Sequence, residues 1–152
     1  MKEIKLTKGF TAQVDDEDFE YLNQCKWNTC LTKTGHIYAG RTLKTILMHR
    51  IIMSAPTDKQ VDHIDHNGLN NQKSNLRLCT NAQNSMNRIP YGTSKYLGVY
   101  KVKNRKSSFM SQIKVNGVHK YLGCFKNEID AAKSYDIAAK KYNGEFANLN
   151  FK

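Results

Sequence analysis

The sequence predicts an α+β chain built from small sheets and short helices, and three stretches carry that prediction. Residues 61–88 read as strand, turn, strand and helix. Residues 97–125 hold three alternating apolar and polar stretches separated by turn signals. Residues 128–142 repeat alanine and tyrosine at helical spacing. At 152 residues there is room for one ordinary domain or two small ones. The expected division is a β-rich segment over 1–45, a central motif over 46–89, a linker over 90–95 and a C-terminal module over 96–152.

Short strands are expected at 4–6 and 11–14, followed by an acidic helix over 15–23. Asp15 or Asp16 would cap it, because a carboxylate accepts bonds from the free N–H groups of a first turn. Trp27 is expected to anchor the core here. A hairpin turns at Thr34-Gly35 and returns over 38–43. Ile46, Leu47, Ile51 and Ile52, with Met48 and Met53 between, suit a short buried helix within 44–54 that Pro56 closes. Val61 and Ile64 then flank Asp62, His63, Asp65 and His66, and Asn67-Gly68 marks a turn. Leu76 and Leu78 alternate with Arg77 as in a half-buried strand. Thr80 stands three residues before Gln83, the spacing of a capping box, so a helix starts at Asn81.

Pro90, Gly92, Thr93 and Ser94 read as linker. Strands follow at 97–102, 109–115 and 120–125, with Asn104 and Asn116-Gly117 in the turns. A helix over 128–142 is capped by Asn127 and ends near Asn143-Gly144. Alternation turns Ser111, Ile113 and Val115 toward that helix and Met110, Gln112 and Lys114 away from it.

The formal net charge is +11. Such a chain gains free energy on a polyanion, largely by releasing condensed counterions. No stretch approaches the ~20 apolar residues that span a bilayer. The N-terminus lacks an apolar signal core, so a cytoplasmic protein is expected. Membrane-surface binding would need a basic amphipathic helix with large apolar anchors, whereas the helix over 128–142 presents alanines. Cys25, Cys30, Cys79 and Cys124 form no CxxC pair, so they read as free thiols and no structural zinc is expected.

Hydrolysis of a phosphodiester requires a base for the water, charge neutralisation at phosphate and stabilisation of the leaving oxygen. A hard cation meets the last two needs and prefers oxygen ligands. Asp62, His63, Asn75 and Asn84 offer the set. His63 is the candidate base, since imidazole titrates near pH ~6.5. Neighbours on a strand leave on opposite faces, so Asp62 can face a cation while His63 faces water. Asn84 would close the metal site from the following helix, and Asn75 would hold the imidazole in one tautomer. Asn67, Asn70 and Asn71 read as turn formers, and Asp65 and His66 as solvated or near phosphate.

"MHRIIM" at 48–53 followed by "VDHIDHNGLNNQKSNLRLCTNAQNSMNR" at 61–88 resembles the HNH homing endonucleases of phages and mobile introns. The resemblance implies a ββα-metal fold, a general base at His63, a central asparagine at Asn75, and metal ligands at Asp62 and Asn84. Many relatives carry histidine at that last position, so Asn87 stands as the alternative to Asn84. His49 resembles a recurrent position and is read as packing or phosphate contact.

Residues 96–151, with LGCF at 122–125, AAKSYDIAA at 131–139 and GEFANLNF at 144–151, are similar to the plant ethylene-response-factor (AP-two) DNA-binding domain. That likeness implies three strands in the major groove with one helix behind them. DNA contacts then fall on Tyr100, Lys101, Lys103, Phe109, Gln112, Lys114, His119 and Tyr121. Several arginines of the plant domains are tyrosine, glutamine or lysine here, so their guanine reading does not carry over.

The expected protein is therefore a homing-type, site-preferring nuclease of double-stranded DNA. It would use one divalent metal, Mg²⁺ or else Mn²⁺, need no small-molecule cofactor, and act as a monomer or weak homodimer. A non-catalytic DNA-binding regulator is the alternative, and an RNA-binding protein ranks third.

Overall fold

A computed structural model describes residues 1–41, 46–87, 89–90, 94–102 and 108–151. The chain divides into two compact units, 1–84 and 85–152.

The first unit opens with an antiparallel hairpin of β1 (Lys2–Lys5) and β2 (Thr11–Val14). Alternation buries Ile4 from one strand and Ala12 and Val14 from the other. Helix α1 (Asp16–Asn23) follows and contributes Leu22 to the same core. Trp27 is 1 % exposed, and its indole N–H donates to the Leu22 carbonyl at 2.8 Å. Strands β3 (Asn28–Leu31), β4 (Ile37–Arg41) and β5 (Ile46–Leu47) form an antiparallel sheet in that order. The helix expected within 44–54 is shorter: 46–47 pair with β4, and only α2 (Met48–Ile52) is helical. Ser54, at φ 44°, turns the chain before Pro56. The end of the return strand expected over 38–43 falls at 42–43, outside the described residues.

Strands β6 (Gln60–His63) and β7 (Leu76–Cys79) pair antiparallel, with Asp62 opposite Arg77 and His63 opposite Leu76. Helix α3 (Asn81–Asn84) closes the unit. Both halves of the capping box form: Thr80 N donates to Gln83 Oε1 at 2.8 Å, and Gln83 N donates to Thr80 Oγ1 at 3.2 Å.

The N-terminal strands and the central motif share one core. Ile51 and Ile52 of α2 and Leu69 of the β6–β7 loop pack on Ile4, Val14, Trp27 and Met48. The loop is also bonded to β2, through Gln13 N to the Leu69 carbonyl and Asn71 N to the Gln13 carbonyl, both 2.8 Å. Asp15 precedes α1 but makes no side-chain cap bond. Its carboxylate accepts instead from Lys73 N at 2.8 Å and Gln72 Nε2 at 3.2 Å, which is a better use of a charged acceptor when a loop must be held.

In the second unit β8 (Val99–Lys101), β9 (Phe109–Val115) and β10 (Val118–Phe125) form one antiparallel sheet with β9 central. Asn116 and Gly117 both take positive φ, 50° and 82°, as a tight two-residue turn requires. Helix α4 (Glu128–Asn143) packs on the sheet, with Asn127 Oδ1 accepting from Ile129 N at 2.8 Å. Ala131, Ala132, Tyr135, Ala138 and Ala139 are buried against Leu97, Val99 and Ile113. The tail is tied to α4 by buried Asp136, which accepts from Asn150 N at 2.8 Å and Phe151 N at 2.9 Å. Among the described residues no helix is long and apolar enough to cross a membrane.

Candidate active site

Strand β6 carries its two candidate side chains into the interior: Asp62 is 5 % exposed and His63 6 %. Period two sends Gln60 and Asp62 to one side and Val61 and His63 to the other. On the first side Arg77, directly across the ribbon, donates to Asp62 Oδ2 from Nε at 2.8 Å and from Nη2 at 2.7 Å. Asn84 reaches the same side from α3, its Nδ2 donating to Gln60 Oε1 at 2.6 Å. Its amide nitrogen is thereby occupied.

His63 sits in a ring cluster. Its imidazole meets His49 edge-on, with centroids 4.9 Å apart and planes at 87°. Tyr38 of β4 lies 5.7 Å from His63 and 5.5 Å from His49. Burial lowers the His63 pKa, while the Asn71 amide and the charges of Asp65 and Asp62 oppose the fall. The net effect keeps the ring neutral near neutral pH, the form that can accept a proton. His49 is lowered further, to about 3, by burial, then by His63 and Arg50. Burial and the Asp62 charge raise the Tyr38 hydroxyl.

The loop after β6 is woven by short polar side chains. Asp65 accepts from Asn67 N and Asn75 Nδ2 on one oxygen and from Asn70 Nδ2 on the other, at 2.8 to 2.9 Å. Asn75 accepts from Asp65 N at 3.0 Å and donates to the Asn70 carbonyl at 2.8 Å. Burial raises the Asp65 carboxyl, but these bonds and His63 outweigh it and the net shift is downward. The Asn75 side chain, expected to hold the imidazole, thus bonds to Asp65 and Asn70. Its amide closes the loop, while Asn71, a fully buried residue read from sequence as a turn former, opposes the fall of the His63 pKa.

Sequence reasoning also passes over Arg77, Gln60 and Tyr38, and reads His49 as packing or a phosphate contact. Arg77 has a signal, because it alternates with Leu76 and Leu78 and so faces away from them, but its partner depends on strand register. Asn87, the alternative to Asn84, belongs to the second unit. Among the described residues no three His, Cys, Asp or Glu side chains gather into a cation site. A metal here would rest on one carboxylate and amide oxygens.

In the second unit, cross-strand register places Tyr100 with Met110, Tyr121 with Gln112 and His119 with Lys114. Tyr100, Gln112, Lys114 and His119 line one cleft of about 150 Å³ with Leu97, Gly98 and Tyr135. Gly98 has no alternative there: at φ 70°, an added Cβ would lie 2.0 Å from the Tyr135 ring. Phe109 does not join this face. It packs with Val99, Ala131 and Ala132 toward the helix, as the period of β9 requires, and Lys101 is paired with it on that side. Lys103 lies outside the described residues.

The sequence pattern of the HNH endonuclease family matches residues 47–86, which hold α2, β6, β7 and α3. An uncharacterised HNH endonuclease of Acanthamoeba polyphaga mimivirus is 34 % identical over 149 residues, covering 94 % of this chain and 76 % of the viral one. That similarity runs beyond the matched motif on both sides, and with it this chain belongs to the HNH endonucleases, hydrolases that cut the phosphodiester bonds of DNA.

Proposed function

We propose that the protein is a site-preferring, homing-type endonuclease that cuts duplex DNA with a single divalent cation and His63 as general base. The observation that supports this most is the pairing of a buried, neutral imidazole with an adjacent carboxylate whose side of the strand is shared by an asparagine carbonyl. The donor set suits a hard ion: Asp62 and Asn84 offer only oxygen, and the side chain bonded to Asn84 is the amide of Gln60. Asp62 and Asn84 would hold Mg²⁺ or Mn²⁺, which when bound neutralises phosphate charge and stabilises the leaving oxygen.

His63 takes a proton from a water. The water oxygen bonds to phosphorus, the bridging P–O bond breaks, and the leaving oxygen is protonated from solvent. Tyr38, His49 and Asn71 fix the imidazole for that transfer, and the Asp65–Asn75 network fixes the loop beneath it. The strand, strand and helix at 60–84 are read as the ββα-metal layout of the family. Residues 96–151 are read as an AP-two-like grip, with Tyr100, Gln112, Lys114, His119 and Tyr121 facing DNA. Lysine meets phosphate, and glutamine can pair two-fold with adenine.

The test uses supercoiled plasmid carrying the DNA around the gene's own locus, with Mg²⁺. Wild type should yield relaxed or linear product. His63→Ala should lose it, by a factor of about 10² to 10⁴, while retaining the gel shift on the same DNA. Undiminished cutting by the variant would remove His63 from the mechanism.

A further inference from the structure

We propose that Arg77 is a resident counterion on Asp62 which the divalent cation must displace, and that the displaced guanidinium then binds a DNA phosphate. This rests on the reading of Asp62 as a metal ligand. The pair is specified by register, since Asp62 and Arg77 are directly opposite in the β6–β7 ribbon and so share one side of it. Two guanidinium nitrogens converge on the single oxygen Oδ2, at 2.8 and 2.7 Å. The Asp62 side chain is 6 % exposed and that of Arg77 17 %. A carboxylate this deep needs a partner charge, and Arg77 supplies it.

The same arrangement works against a dication. The Asp62–Arg77 pair has no net charge, and Asn84 and Gln60 add none. A metal approaching Asp62 meets a guanidinium on the same carboxylate, and two cations held that close in a poorly solvated site repel strongly. DNA changes the balance. A phosphate brings negative charge to the site, and its oxygens match the planar fork of an arginine. Arg77 can then exchange one anion for another while the metal takes the carboxylate. The expected property is coupling: DNA raises affinity for metal, and metal raises affinity for DNA by the same factor.

The experiment measures Mn²⁺ binding to the full chain by electron paramagnetic resonance, with and without a short duplex. A His63→Ala background keeps the DNA intact, and binding to duplex alone is subtracted. With Arg77 intact, binding without DNA should be weak and should tighten at least tenfold with duplex. Arg77→Met should bind Mn²⁺ at least tenfold more tightly without DNA and gain under threefold from it. If Arg77→Met binds no more tightly than its parent while Asp62→Asn abolishes binding, the counterion role is overturned and the metal site stands. If Asp62→Asn binds Mn²⁺ as its parent does, the metal reading itself fails.

Arg77→Met leaves Asp62 buried without its partner and can unfold the unit, so a second measurement keeps arginine in place. The Nε–Hε resonance of Arg77, followed by ¹⁵N NMR in the His63→Ala protein, should move away from its carboxylate-bound position when Mg²⁺ and duplex are both added. A resonance that stays there at saturation overturns the proposal.

Discussion

Acidification should weaken the first unit through His49. The ring is 6 % exposed, and burial, with smaller effects from His63 and Arg50, lowers its pKa from 6.5 to about 3. Between those values the unfolded chain holds a proton on His49 that the folded chain lacks. Stability from this residue is therefore complete above the unfolded pKa of 6.5 and is lost as pH falls toward about 3. At about pH 5, roughly 1.5 units below the unfolded value, the loss is about 2 kcal/mol at ~1.36 kcal/mol per unit. With a urea dependence of ~2 kcal/mol per molar, the midpoint moves by about 1 M. Trp27 is the only tryptophan and is buried in this unit, so its fluorescence follows the unfolding of residues 1–84. His49→Phe keeps a ring against His63 and Tyr38 but removes the proton site. Between about pH 7.5 and about pH 5, wild type should lose about 2 kcal/mol more than the variant. His63, whose pKa burial also lowers, is present in both proteins, so the comparison reads the difference that His49 makes. Equal losses would refute the claim that His49 is buried as a neutral ring.

Gly68→Ala should cost about 1–3 kcal/mol in the same fluorescence assay and slow plasmid cutting, because overpacking there displaces the wall of the His63 site. The added Cβ would lie 2.3 Å from the Ile37 carbonyl oxygen and 2.5 Å from the Tyr38 ring. Thr80→Ala removes half of the capping box that starts α3; it should cost about 1 kcal/mol and weaken Mn²⁺ binding through Asn84, read by resonance titration. Lys114→Ala should weaken DNA binding and flatten the slope of log affinity against log salt by ~0.9 for each phosphate the protein ceases to neutralise, measured by fluorescence anisotropy.

Features written in neighbouring residues are legible in the sequence. The alternation of 109–115, the Asn116-Gly117 turn, the Asn127 cap and the Thr80–Gln83 box each depend on residues within a few positions of one another, and each has the expected geometry. What depends on distant pairing is not legible. Asp15 looks like a cap because nothing local shows that Lys73, 58 residues away, claims its carboxylate. Asn71 looks like a turn residue beside Asn67, Asn70 and Asn75, and only the docking of its loop on Gln13 buries it beside His63. Residues 46–47 look helical because their apolar character suits helix and strand alike; the edge of β4 decides the matter. Family likeness puts Phe109 on the DNA face, against the alternation of its own strand, and the alternation prevails.

The chemistry proposed for His63 needs a neutral imidazole, and neutrality here comes from burial. The residues that bury it are not confined to the matched motif. Tyr38 comes from β4, His49 from α2, and Asn71 from a loop held by Gln13 of β2 and by Asp15. A ribbon of four-residue strands with a single-turn helix cannot exclude water from its own base, because both of its faces lie open. The N-terminal strands close one of them. They also bring Tyr38 against Gly68, where any larger residue would push the ring away. The first 47 residues thus take part in burying His63, directly through Tyr38 and indirectly through the bonds that Gln13 and Asp15 make to the loop carrying Asn71.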